Sequence, residues 1–199
     1  MDLALLYSGG KDSTLAALFL DSFYDVTLVT GRFGVTDDWE HAEAAADRLG
    51  YPFEAVDLDR SVAEAAVDEM IEDGYPRHGI QRVHEHALES VAGLDVDAVA
   101  DGSRRDDRVP TISRAQAQSL EDRHGVDYLS PRAGLGRNAV DRLVEETLTV
   151  ETGPSETIPK GDYEAELRAL IADRGGADAV ESVFPAHEQS YVRGLRTED

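Results

Sequence analysis

Leu3-Ala4-Leu5-Leu6-Tyr7-Ser8-Gly9-Gly10-Lys11-Asp12-Ser13-Thr14 is an apolar run that breaks into two glycines and then into charge and hydroxyl. Leu15, Leu18 and Phe19 follow at helical spacing. The stretch therefore reads as a strand, a tight turn and the first turn of a helix. Such a turn points unpaired N–H groups and the positive end of a helix dipole at one small volume. Gly9 and Gly10 let backbone approach a ligand with no Cβ in the way. Ser8, Ser13 and Thr14 add hydroxyl donors, and Lys11 adds a full positive charge. The group that suits this volume is a phosphate or pyrophosphate.

Working outward, strands are expected near 3–7, 26–30, 53–58, 96–100 and 126–129, with helices between them. Asp37 with Glu40, Ser61 with Glu64 and Ser113 with Gln116 have the spacing of helix starts, the first two as capping boxes. Gly50 and Gly74 stand where helices stop. Ile80, Val83, Ala87 and Val91 share one helical face. A further helix beginning at Arg137 or Asn138 carries Val140, Leu143, Val144 and Leu148. This alternation predicts an α/β, doubly wound five-stranded parallel sheet of order 3-2-1-4-5, in which ligands bind at the carboxyl ends of the strands. Residues 151–160 read as a linker. Helix is expected from Asp162 with that residue as N-cap, broken at Gly175-Gly176 and ended by Pro185. The expected organisation is a nucleotide-binding domain over 1–150 and a linker with a C-terminal helical extension over 151–199.

The 199 residues include 41 acidic and 19 basic ones, for a net charge of −22. Lys11 and Lys160 are the two lysines of the chain, which makes a lysine inside the glycine turn the more informative. Acidity spread between regular apolar positions predicts a folded protein with a surface adapted to high salt, where like charges are screened. With no cysteine, the chain offers no disulfide, no thiolate metal site and no thiol nucleophile. No apolar run is long enough to span a membrane, and the N-terminus enters a strand without a leader, so a cytoplasmic protein is expected.

The turn lacks Walker A spacing and lacks the third glycine of the dinucleotide fingerprint. Ser8-Gly9-Gly10-Lys11-Asp12-Ser13 instead resembles the PP-loop of the ATP pyrophosphatases, the adenine nucleotide alpha hydrolase-like superfamily, in the expected place at the end of the first strand. Asp101-Gly102-Ser103-Arg104-Arg105-Asp106-Asp107 follows the fourth strand and resembles a second motif of that superfamily. Paired carboxylates there can hold Mg²⁺, and arginines can clamp phosphate oxygens. The resemblance covers residues 1–150 and is nearest to a small archaeal PP-loop group predicted to act in tRNA thiolation.

It implies Mg–ATP as cofactor and substrate adenylation with release of pyrophosphate. By position, Ser8, Gly9, Gly10 and Ser13 would cradle the β,γ-phosphates, with Lys11 as a charge. Asp12 would ligate Mg²⁺ with Asp106 or Asp107, and Lys11, Asp12 and Arg104 would carry catalysis. Gly102 and Ser103 would lie near the α-phosphate or ribose, and Thr30 to Phe33 beside the adenine; Phe33 is either a base-stacking ring or a core residue. Thiolating relatives often use cysteines or an iron–sulfur cluster, and this chain supplies neither. Sulfur, or ammonia for an amide-forming reaction, would come from free solution or a donor protein. The acceptor is either a tRNA base or a small molecule, and a homodimer is compatible with the class. The competing readings are an ATP-dependent nitrogen ligase and a non-catalytic nucleotide sensor. His78, His84 and His86 are expected in surface or capping roles. Phe184 to Ser190 is expected as a C-terminal packing turn or a substrate contact.

Overall fold

The structure is a computed structural model and describes residues 1–104, 107–159 and 161–196. Strands β1 (Asp2–Leu6), β2 (Asp25–Arg32), β3 (Phe53–Asp57), β4 (Ala98–Ala100) and β5 (Asp127–Leu129) form one sheet of order 3-2-1-4-5. Every pairing in it is parallel. The expected class, strand count and order are those observed.

Alternation along β1 explains why this strand lies at the centre. Leu3, Leu5 and Tyr7 face a cluster with α1 (Lys11–Leu20) and α2 (Trp39–Leu49). Ala4 and Leu6 face the opposite cluster, made with α3 (Arg60–Asp73), α4 (Arg77–Ala92), α5 (Arg114–His124) and α7 (Tyr163–Val183). Covering both faces with helices leaves every side chain of a central strand with an apolar partner. The face of α2 is all small, with Ala42, Ala45 and Ala46 buried. It admits backbone closely: a Cβ placed on Gly161 would lie 2.4 Å from the Ala42 Cβ.

Helix ends follow local chemistry. Ser113 and Gln116 form a reciprocal capping box at α5, and left-handed Gly50, Gly74 and Gly125 terminate α2, α3 and α5. Two expected boxes are corrected. At α3 the helix begins before Ser61, because Asp59 accepts the Ser61 N–H and becomes the cap; Glu64 pairs with Arg60 instead. At α2 the N-cap is Asp38, with no side-chain cap bond.

The larger correction concerns the C-terminal part. Leu148, expected in a helix, opens β6 (Leu148–Pro154), which pairs antiparallel with β7 (Glu188–Leu195). The start of the expected linker and the end of the expected packing turn are thus two strands of a ribbon. Between them, α6 (Arg137–Thr147) having ended before β6, α7 runs as expected from an Asp162 cap and kinks at Gly176, φ 76°. The strands escaped notice because each buries few residues and their partners stand some forty residues apart, across α7. Among the described residues no helix is long and apolar enough to cross a membrane.

Candidate functional site

The turn after β1 is held open by its own side chains. Gly9 takes φ +76°, and a Cβ there would meet the Tyr191 ring at 3.1 Å. Gly10 caps α1 without a side-chain hydrogen bond, so the helix start carries no built-in acceptor of its own. Hydroxyls fill part of that role: the Gly10 N–H donates to Ser8 Oγ (3.3 Å), and the Lys11 N–H donates to Ser190 Oγ (3.3 Å). Ser8 and Ser13 hydroxyls stand 3.2 Å apart. These are weak, replaceable contacts of the kind that phosphate oxygens substitute.

The loop is braced from two sides. A Cβ on Gly102 would lie 2.9 Å from Ser13 N and Cα, so only glycine lets the end of β4 touch the first turn of α1. Behind the loop, the Val192 N–H of β7 donates to the Gly9 carbonyl (2.9 Å), and the Gly161 N–H donates to the Ser8 carbonyl (3.2 Å). Tyr191 is buried under Gly9 and donates its hydroxyl to the His41 carbonyl (2.8 Å). Ser190, the end of the segment expected as a packing turn or a substrate contact, and the Tyr191 and Val192 that follow it therefore back the loop.

Between the loop and the β4 end lies a cavity of about 180 Å³, at the carboxyl edge of the sheet; Ser8, Asp12, Thr30, His84, Ser103 and Tyr163 are among its lining residues. A larger hollow of about 900 Å³ sits at the opposite edge, lined by Asp2, Asp21, Asp25, Glu54 and Asp95. That acidic lining repels a polyphosphate, so the smaller cavity is the site to weigh.

Asp12 is the acidic residue of the loop. Its Oδ1 lies 3.1 Å from Lys11 Nζ and 2.8 Å from Arg132 Nη2. Arg132 is fully buried. Its Nη1 donates to the Gly102 carbonyl (2.7 Å), while Nε and Nη2 have no well-angled hydrogen-bond partner. Burial lowers the Arg132 pKa, and Asp12 opposes that shift. Arg104 grips Asp107 through its N–H (2.7 Å) and guanidinium (2.9 Å).

Beneath Ser103 is a second polar cluster. Asp101 and His84 are buried, with Asp101 Oδ2 2.7 Å from His84 Nε2. Asp101 also accepts the Ser103 N–H (3.0 Å), the Ser103 hydroxyl (2.6 Å) and the Tyr128 hydroxyl (3.1 Å). His84 Nδ1 lies 2.9 Å from the Tyr163 hydroxyl. Burial opposes ionisation of Asp101, but His84 and Ser103 outweigh it and hold its pKa below the usual value.

Of the sequence-expected residues, Ser8, Asp12, Ser13, Gly102 and Ser103 line this cavity, and Gly9, Gly10 and Lys11 belong to the loop without lining it. Thr30 reaches the cavity with its hydroxyl tied to the Tyr7 carbonyl (2.6 Å). Phe33 is a core residue, and the Glu166 carboxylate takes its N–H (2.8 Å). Arg105, Asp106 and Lys160 lie outside the described residues. His84 corrects a surface expectation: it sits on the buried stripe of Ile80, Val83 and Ala87, a signal present in its spacing. Ser190 ends the segment expected as a packing turn or a substrate contact, whereas nothing in the spacing singles out Arg132 or Tyr163.

Residues 1–194 match the family described as "Family of unknown function (DUF7411)". The chain belongs to this family. It is 41% identical over 199 residues to "Uncharacterized protein MJ0690" of Methanocaldococcus jannaschii, covering 100% of this chain and 98% of that one. It also resembles a crystal structure described as "predicted subunit of tRNA methyltransferase" from the same species, with a TM-score of 0.91, 40% identity and 100% of both chains covered.

Proposed function

We propose that the chain binds Mg–ATP at the Ser8–Ser13 loop and adenylates an acceptor oxygen, releasing pyrophosphate, in the modification of a tRNA base. The observation that carries this reading is the loop itself: a left-handed glycine, an uncapped helix start and replaceable hydroxyl contacts at the carboxyl end of the central strand. Ser8, Gly9, Gly10, Lys11 and Ser13 hold the outer phosphates. Gly102 and Ser103 face the α-phosphate or ribose, and Thr30 lies on the side of the base.

Asp12 and Asp107 are carboxylates at the cavity edge and suit a hard cation that keeps several waters. Mg²⁺ supplies charge neutralisation to the phosphates when bound. Arg104 holds Asp107 in place, and Arg132 holds Asp12 from below. Catalysis in this arrangement is positioning and electrostatics.

The tRNA acceptor draws on the description of the similar crystal structure as a predicted tRNA methyltransferase subunit, a word that also favours a protein partner. With no cysteine in the chain, that partner or free solution brings the sulfur or nitrogen nucleophile.

Titration calorimetry with Mg²⁺ and α,β-methylene-ATP tests the binding step, and product analysis with Mg–ATP and total tRNA tests the chemistry. Binding followed by AMP and pyrophosphate is expected, and Asp12→Asn is expected to lose turnover by far more than it loses stability. ADP as product, or no binding by the wild type, overturns the reading.

A further inference from the structure

We infer that Tyr163, His84 and Asp101 form a proton relay that takes up the proton an amide- or lactam-type acceptor loses as its oxygen is adenylated. The inference rests on the nucleotide reading above and adds to it the residues that carry that proton.

The geometry gives each member one direction. Asp101 takes four donors and sits fully buried. A carboxylate so surrounded is the ionised form, which accepts only. His84 Nε2 therefore carries the hydrogen of the 2.7 Å contact to Asp101. Nδ1 is left as the acceptor of its 2.9 Å contact, and the Tyr163 hydroxyl is the donor. Tyr163 and His84 both line the cavity that the phosphate loop also lines. A base held by a buried carboxylate, with its far nitrogen turned to a hydroxyl at the cavity, is the arrangement that activates a hydroxyl as a proton carrier.

A purely structural network would need no cavity access. Here the chain of bonds ends at the wall of the proposed reaction chamber. The titratable groups lining the cavity are Tyr7, Asp12, His84, Asp101, Asp107, Asp162 and Tyr163; behind them, the Tyr128 hydroxyl of β5 donates to Asp101 (3.1 Å). Burial raises the Tyr163 pKa, and Asp162, Asp101 and Glu164 add to it. A free tyrosinate is thus disfavoured, and the hydroxyl passes a proton on only as it receives another.

The acceptor's carbonyl oxygen forms a bond to the α-phosphorus as the α–β bridging P–O bond breaks, and pyrophosphate leaves with that electron pair. The N–H beside the carbonyl loses its proton to Tyr163 Oη while the Tyr163 proton moves to His84 Nδ1. The products are an O-adenylated imidate, pyrophosphate and an imidazolium beside Asp101. Without a proton acceptor the imidate would carry a positive charge on nitrogen.

Two measurements test the relay. Imidazole ¹⁵N shifts of the free protein are expected to show His84 neutral, with the hydrogen on Nε2, near neutral pH; an imidazolium throughout, or the hydrogen on Nδ1, overturns the relay. The rate of AMP release from Mg–ATP with total tRNA is then followed against pH in wild type, Tyr163→Phe and His84→Gln. Losses of about 10²-fold or more are expected in both variants, with α,β-methylene-ATP affinity unchanged within about twofold, and the pH–rate profile of His84→Gln is expected to differ in shape from that of wild type. Folded variants that keep wild-type rate and pH profile reduce the cluster to a structural role. Wild type that fails to bind the analogue, or binds it yet releases no AMP from Mg–ATP with total tRNA, brings down the nucleotide reading and the relay with it, a result distinct from unaffected variants.

Discussion

Two single residues carry sharp consequences. Gly102 touches the first turn of α1 so closely that a Cβ would lie 2.9 Å from backbone atoms of Ser13. Backbone cannot swing aside as a side-chain tip can. Gly102→Ala is therefore expected to cost about 1–3 kcal/mol of stability and to weaken nucleotide analogue binding by about tenfold, equivalent to ~1.4 kcal/mol; denaturant melts and calorimetry read both. Asp101 gives a pH signature. Its folded pKa lies below the unfolded value of 3.8, so its contribution is present above that value and is lost as pH falls through the folded pKa. The stability gap between wild type and Asp101→Asn should be widest above about pH 4 and close below it; a gap that is flat through acid would remove the ionised carboxylate. The strand, turn and helix start of the candidate site were legible, because an apolar run broken by two glycines marks the end of a strand. His84 was legible only in part. Its place on the stripe of Ile80, Val83 and Ala87 marks burial, but its partner Asp101 is seventeen positions on and meets it only through the sheet.

At the scale of elements, α7 is the piece that ties the C-terminal part to the strand edge. Its buried Glu166 accepts the N–H groups of Phe33 and Val35 at 2.8 Å each, capping the chain as it leaves β2. Glutamine has one carbonyl oxygen and would aim an amide donor at the second N–H. Glu166→Gln is thus expected to destabilise by about 1–3 kcal/mol, seen as a lower denaturant midpoint at unchanged slope. The parallel sheet and its order were readable because five short apolar runs alternate with helical spacing, and a buried sheet leaves little choice of connection. The β6–β7 ribbon was not. Its strands bury little beyond Leu148, Val150, Tyr191 and Val192, and a pairing that spans α7 leaves no local turn signal.

For the whole molecule, net charge dominates. A charge of −22 on 199 residues repels itself at every separation shorter than the screening length, which falls from about 10 Å at 0.1 M salt to about 3 Å at 1 M. Surface ion pairs such as Arg123 with Glu89 and Arg82 with Glu69 offset little of this. Thermal midpoints are expected to climb as KCl rises from about 0.1 to 2 M; a midpoint that stays level or falls would show that repulsion does not limit stability.

The bond from Val192 to Gly9 and the Tyr191 ring beneath it also set an order of manufacture. The glycine turn leaves the ribosome well before the strand that backs it. Until that strand arrives, the turn has no rear support, and a nascent chain stalled before residue 188 carries the whole motif without the means to shape it.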